Sequence, residues 1–155
     1  MAKITQSVFS VEKAEESLGL LLWQTTITWQ RFIKKALDKH NISHAQFVIL
    51  AIVLWFETHN ENPTQIVIAK QSKLDKMTVS KSLKKLALDG YIKRAEHADD
   101  TRAKSVRLTA KGKAIASKLV PIVENVDRAF FDILETTHQK SLTTILSVLS
   151  EVLEC

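Results

Sequence analysis

The chain has 155 residues, 45% of them hydrophobic and 25% charged, with a net charge of +5; these values suit one globular domain with a real core. A single cysteine, Cys155, excludes an intrachain disulfide framework and suits a reducing cytoplasm. The longest apolar run, Phe47 to Phe56, is too short to cross a bilayer, and the first nine residues lack the apolar core of a signal peptide.

Only 3 Gly and 2 Pro occur, against roughly ten and eight expected from average usage, so long helices and few loops are predicted. The charge is unevenly placed. Between Lys70 and Lys113 there are 13 Lys/Arg and 5 Asp/Glu, a net of +8, while the rest of the chain is net −3. A focused basic field steers polyanions and supplies salt-dependent affinity.

In chain order, residues 1–9 read as a loose arm. Ser10 is the expected N-cap of a helix running to about His40, with Glu12, Glu15 and Glu16 early and Lys34, Lys35, Lys39 and His40 late, as the helix dipole favours. Leu18, Leu21, Leu22, Thr25, Trp29, Phe32, Ile33 and Ala36 fall near one stripe. Thirty residues is long for so small a domain. Part of the stripe is therefore expected to meet another subunit, with purely intramolecular packing as the alternative.

After a turn at Asn41-Ile42, Ser43 and Gln46 form an S-x-x-Q capping box, and Ile42 with Phe47 has the spacing of a hydrophobic staple. The helix from His44 to about Thr58 is apolar on nearly every side, which predicts a buried, central element. A polar loop, residues 59–62, leads to Pro63.

Two short helices follow, capped at Thr64 and Asp75 and separated by the corner Lys73-Leu74, a helix-turn-helix arrangement. In the second, Val79, Leu83 and Leu86 share one face, and the opposite face carries Met77, Lys81, Lys84, Lys85 and Leu88, with Thr78 and Ser80 flanking it. Gly90 suits the left-handed position after a helix. Hydroxyls and ammonium groups on a free helix face are what base edges and phosphates require; an ordinary surface helix with a solvated Lys face is the bland alternative.

Tyr91-Ile92-Lys93-Arg94 and Ser105-Val106-Arg107-Leu108 then read as strands joined by the charged loop Ala95 to Lys104, a hairpin placed as a wing. An arginine at such a tip can enter a minor groove. Thr109 caps a helix reaching about Leu134, and Pro121 inside it either bends or splits it. A last helix, about Gln139 to Leu153, carries Leu142, Ile145, Leu146, Leu149, Val152 and Leu153 at core spacing.

Asp100-Thr101-Arg102, Val106-Arg107-Leu108-Thr109 and Gly112 together resemble the D-x-R-x-x-x-V-x-L-T-x-x-G wing signature of the MarR family of transcription regulators. Asp89 to Arg94 is similar to that family's link from recognition helix to wing. The resemblance implies a mainly α fold with a small β-hairpin wing, a winged helix-turn-helix flanked by N- and C-terminal dimerisation helices. Within a single domain, 1–155, it places the dimerisation helices at 10–42 and 110–155 and the DNA-binding lobe at 43–109. The helix-turn-helix corner departs from the common pattern in having Lys73 or its neighbours where a glycine is usual.

The implied function is a cytoplasmic, homodimeric regulator, most often a repressor, bound to a pseudo-palindromic operator in double-stranded DNA. Thr78, Ser80 and Lys81 are the candidates for base-edge contact, with Met77 against a thymine methyl; Lys76, Lys84 and Lys85 are candidates for phosphates. Arg102 is the candidate minor-groove arginine, Asp100 a group that orients it or a neighbouring arginine, and Arg94 and Lys104 further wing cations.

Many members of the family respond to small aromatic ligands. Trp23, Trp29, Phe47 and Trp55 are the candidates to line such a pocket, although aromatics on buried helices are more often plain core. No catalytic constellation, phosphate loop or cofactor motif is present. His40, His44, His59, His97 and His138 are scattered singly, so no metal site is expected. The rival readings are a winged-helix protein-interaction module and an architectural DNA binder without a strict site.

Overall fold

The computed structural model describes residues 7–96 and 104–153. The element order is α1 (Leu18–Asp38), α2 (His44–Thr58), α3 (Gln65–Ser72), α4 (Lys76–Leu88), β1 (Ile92–Glu96), β2 (Lys104–Leu108), α5 (Ala110–Phe131) and α6 (Thr136–Ser150), preceded by a 3-10 turn at Ala14–Glu16. Helices with one small hairpin are the expected fold class.

The first helix is shorter than its periodicity suggests. Ser17, not Ser10, is the N-cap, its hydroxyl accepting from the Leu20 amide at 3.3 Å. Glu16 turns back to accept from the Glu12 and Lys13 amides at 3.3 and 3.4 Å. These side chain–backbone bonds offer residues 12–16 an alternative to a helical ladder, and α1 opens only beyond them.

Helix α2 is the centre, packed against α1, α3, α4, α5 and β2. Its capping box forms as expected, Gln46 N donating to Ser43 Oγ at 3.1 Å and Ser43 N to Gln46 Oε1 at 3.0 Å. Ile42 and Phe47, the staple pair, are both buried. Burial is incomplete on one side, however: Trp55 is 66% exposed. The core around α2 is completed by Ile33 and Leu37 of α1, Ile68 of α3, Val79, Leu83 and Leu86 of α4, Ile92, Val106, and Ala116, Leu119 and Val123 of α5.

Pro121 neither ends nor splits its helix; α5 runs through it from Ala110 to Phe131. The ring is on the exposed side, where the carbonyl deprived of its partner can turn to water. The last helix starts at Thr136, three residues before the expected position, and has no buried residue. Ile145, Leu146, Leu149, Val152 and Leu153 have core spacing but no core to enter within this chain. The first half of α1 is similar, with Leu18, Leu22 and Trp23 exposed.

Strands β1 and β2 pair antiparallel, from Ile92 opposite Leu108 to Glu96 opposite Lys104; β1 starts one residue later than Tyr91 and ends two beyond Arg94, and β2 starts one residue before Ser105. Their connection, residues 97–103, lies outside the described residues, as do His97, Asp100, Arg102 and Cys155.

Candidate nucleic-acid interface

The helix-turn-helix is built from three local devices. Thr64 caps α3 by accepting from the Val67 amide at 3.2 Å. Asp75 caps α4 through two bonds to one residue, accepting from Thr78 N at 2.8 Å and from Thr78 Oγ1 at 2.7 Å. The Thr78 hydroxyl first, and its amide second, hold the exposed Asp75 carboxyl below its ordinary value of 3.8. At the corner between the helices, Lys73 takes a left-handed conformation, φ 58°, where glycine would be relaxed.

Burial fixes the rotation of α4. Val79, Leu83 and Leu86 are fully buried, each contributing roughly 1.5–3 kcal/mol. Ser82 joins them on the inner face. Met77, Lys76, Lys81, Lys84 and Lys85 are consequently turned to solvent, with Ser80 and Thr78 half-buried at the edge. Two of the candidate groups have intramolecular partners. The Thr78 hydroxyl is engaged by Asp75, and Lys85 pairs with Asp89 at 3.0 Å, one turn on. The pair is exposed enough to open at little cost.

The C-terminal end of α4 is locked to α5. Lys111 Nζ donates to the Asp89 carbonyl at 2.8 Å and lies 4.7 Å from the centre of the Tyr91 ring. The Thr109 hydroxyl both donates to the Gly90 carbonyl and accepts from Gly112 N. Gly90 has φ +80°, the left-handed conformation its sequence position predicts.

The wing is fastened to the body along β2. Alternate residues of a strand direct their N–H to opposite sides. Val106 N donates to the Pro63 carbonyl at 2.8 Å, beside a bridge between Thr64 and Ser105. Leu108 N donates to Glu57 Oε1, also at 2.8 Å. On the hairpin, Arg94 shares the face of Ile92 and Val106, and its Nε and Nη2 are buried without a partner among the described residues. Lys104 is exposed at the start of β2.

Other groups near this surface escape a sequence reading. Gln65, Ile66, Ala69 and Lys70 of α3 and Lys76 and Val79 of α4 line a cleft between the two helices, and Ile66 and Lys70 are exposed beside it. The basic bias of the segment was a signal for Lys70; nothing marked Ile66. The aromatic candidates do not converge. Phe47 and Trp55 line one shallow depression with Ile52 and Phe56. Trp29 instead donates to Asp127 across to α5, and Trp23 is exposed on α1. Among the described residues no cluster of three or more His, Cys, Asp or Glu could hold a metal ion, and no helix is long and apolar enough to cross a membrane.

A family model described as the ArnR1-like winged-helix domain matches residues 38–126. The chain is 38% identical over 115 residues to the uncharacterized HTH-type transcriptional regulator YdcH of Bacillus subtilis, covering 74% of this chain and 78% of that one. Its fold is similar to that of BpsR from Bordetella bronchiseptica, whose DNA binding is regulated by 6-hydroxynicotinic acid: TM-score 0.81, 20% identity, 92% of this chain and 99% of that one. It also resembles a variant of MarR from E. coli in complex with operator DNA, with TM-score 0.74 and 22% identity over 85% and 92% of the two chains. The chain belongs to the ArnR1-like winged-helix family, and it shares the fold of MarR-family regulators. It is a transcriptional regulator with a winged-helix DNA-binding fold. Its relatives are regulators, not enzymes. In α4 it carries the helix of the motif whose free face is basic.

Proposed function

We propose that the protein is a homodimeric repressor that inserts its two α4 helices into successive major grooves of a pseudo-palindromic operator, with half-site centres about 34 Å apart. The observation that carries this reading is the two-faced character of α4: Val79, Leu83 and Leu86 are wholly buried while Met77, Lys81, Lys84 and Lys85 face solvent. Thr78, Ser80 and Lys81 would read base edges, Met77 a thymine methyl, and Lys76, Lys84 and Lys85 phosphates. Arg102 would enter the minor groove, with Asp100 orienting it or a neighbouring arginine and Arg94 and Lys104 adding charge to the wing. Dimerisation is supported by α6, all of whose apolar residues lack a core in the protomer. The protein would act in the cytoplasm.

Release by a small aromatic ligand completes the proposal. Its support is the fold shared with BpsR, a protein regulated by an aromatic acid. The test is selection from a random duplex pool by the purified protein, followed by titration at several salt concentrations. A palindromic consensus preferred at least roughly a thousandfold over random DNA is the expected result. Steep salt dependence without a consensus would replace the proposal with an architectural DNA binder. No binding at low salt would replace it with a protein-interaction module.

A further inference from the structure

Strand β2 uses one edge to pair with β1 and presents Val106 N–H and Leu108 N–H on the other. An open strand edge is normally protected, for example by a covering loop or helix or by charged groups. Here the backbone supplies only half of that cover. The Pro63 carbonyl accepts from Val106, and the adjoining Thr64 bridges to Ser105. At Leu108, two residues further on, the acceptor is a carboxylate oxygen of Glu57, 51 residues earlier and in the last turn of α2. Glu57 is half-buried, so its bond is shielded from competing water.

This places a side-chain acceptor at the root of the wing. Leu108 is opposite Ile92, where the hairpin leaves the body, and it directly precedes Thr109, the cap of α5. Helix α2 is the most extensively packed element of the fold. A hairpin pinned at Val106 to Pro63 and at Leu108 to α2 cannot pivot about its root; pinned at Val106 alone, it can.

We infer that Glu57 is a positioning residue for DNA binding: its carboxylate, by accepting from the Leu108 amide, sets the angle at which the wing meets the duplex. The inference rests on the DNA-binding role of the wing proposed above. Glu57 adds negative charge near a polyanion, so its value must come from the acceptor and not from the charge. Glu57→Gln keeps an acceptor oxygen and removes the charge. Glu57→Met keeps the length and removes the acceptor.

The experiment compares wild type, Glu57→Gln and Glu57→Met in full-length form, by operator titration and by amide hydrogen exchange. The Met variant is expected to bind on the order of tenfold more weakly, the effect of about one hydrogen bond. Its Leu108 amide should exchange faster, while α4 amides stay protected and the dimer persists. The Gln variant should match wild type in both readouts. Wild-type affinity in the Met variant, an equal loss in the Gln variant, or a Met variant that no longer folds would each overturn the inference. Absence of DNA binding by wild type would instead remove the functional proposal; Leu108 exchange would then decide the anchoring alone, unchanged exchange in the Met variant overturning it.

Discussion

Trp29 Nε1 donates to Asp127 Oδ1 at 2.7 Å, joining α1 to α5 across 98 positions of sequence. The same indole meets His44, the first residue of α2, in an edge-on contact with ring centroids 5.2 Å apart. Three helices, α1, α2 and α5, therefore share one part-buried polar junction. Trp29→Phe keeps an aromatic ring but leaves the Asp127 carboxylate without this donor. The expected loss is about 1–3 kcal/mol by denaturant unfolding. A change below about 0.5 kcal/mol would mean that water replaces the indole without penalty.

The junction also predicts a pH dependence. Burial lowers the His44 pKa from its ordinary 6.5, and the charge of Asp127 opposes the shift without reversing it. The unfolded chain thus takes up a proton at His44 before the folded chain does. Stability from this group is fully present above pH 6.5 and falls as the pH drops below it. Melting curves between pH 7.5 and pH 5.5, about one unit either side of an ordinary His, should show a falling Tm, and His44→Gln should flatten that dependence. An equally steep profile in the variant would assign it to other groups.

Two glycines should respond in opposite directions to alanine. A β-carbon on Gly112 would overlap the Tyr91 carbonyl oxygen, a backbone atom that cannot turn aside. Gly112→Ala should cost at least about 2 kcal/mol and loosen the joint between α4 and α5. Gly19, in the first turn of α1, has nothing within 4 Å of the same position. Gly19→Ala should add about 0.5–1 kcal/mol. A Gly112→Ala protein as stable as wild type would show that the joint tolerates separation.

If α6 is completed by a second copy, a charge on its apolar face should dissociate the protein. Leu149 is 54% exposed in the protomer and follows Ile145 and Leu146 at helical spacing. Leu149→Asp is expected to sediment as a monomer at concentrations where wild type is dimeric. An unchanged sedimentation coefficient would exclude this face from the interface.

At the corner of the helix-turn-helix, Lys73 holds φ 58° without the freedom of glycine. Lys73→Gly relieves roughly 1–2 kcal/mol of left-handed strain, offset by the larger entropy of glycine in the unfolded chain, about 0.5–1 kcal/mol. A small rise in Tm is expected. A clear fall would show that the lysine side chain itself stabilises the corner.

Much of this molecule is local and hence legible in one dimension. The caps at Ser43, Thr64, Asp75 and Thr109, the turn at Gly90 and the rotation of α4 each depend on residues within a turn or two of one another. Periodicity identifies the apolar stripe of α6 equally well, but it cannot say whether the stripe enters a core or awaits a partner; both demand the same spacing. Ser10 and Ser17 could each start a helix, and only the return of Glu16 to the Glu12 and Lys13 amides decides between them. The grip of Glu57 on Leu108, the tie between Trp29 and Asp127, and the inward face of Arg94 join or orient residues according to how distant elements pack. Local chemistry determined which elements exist and which face of α4 is free. Packing decided what holds the wing and which aromatics meet, because those bonds form only after helices far apart in sequence have been brought together.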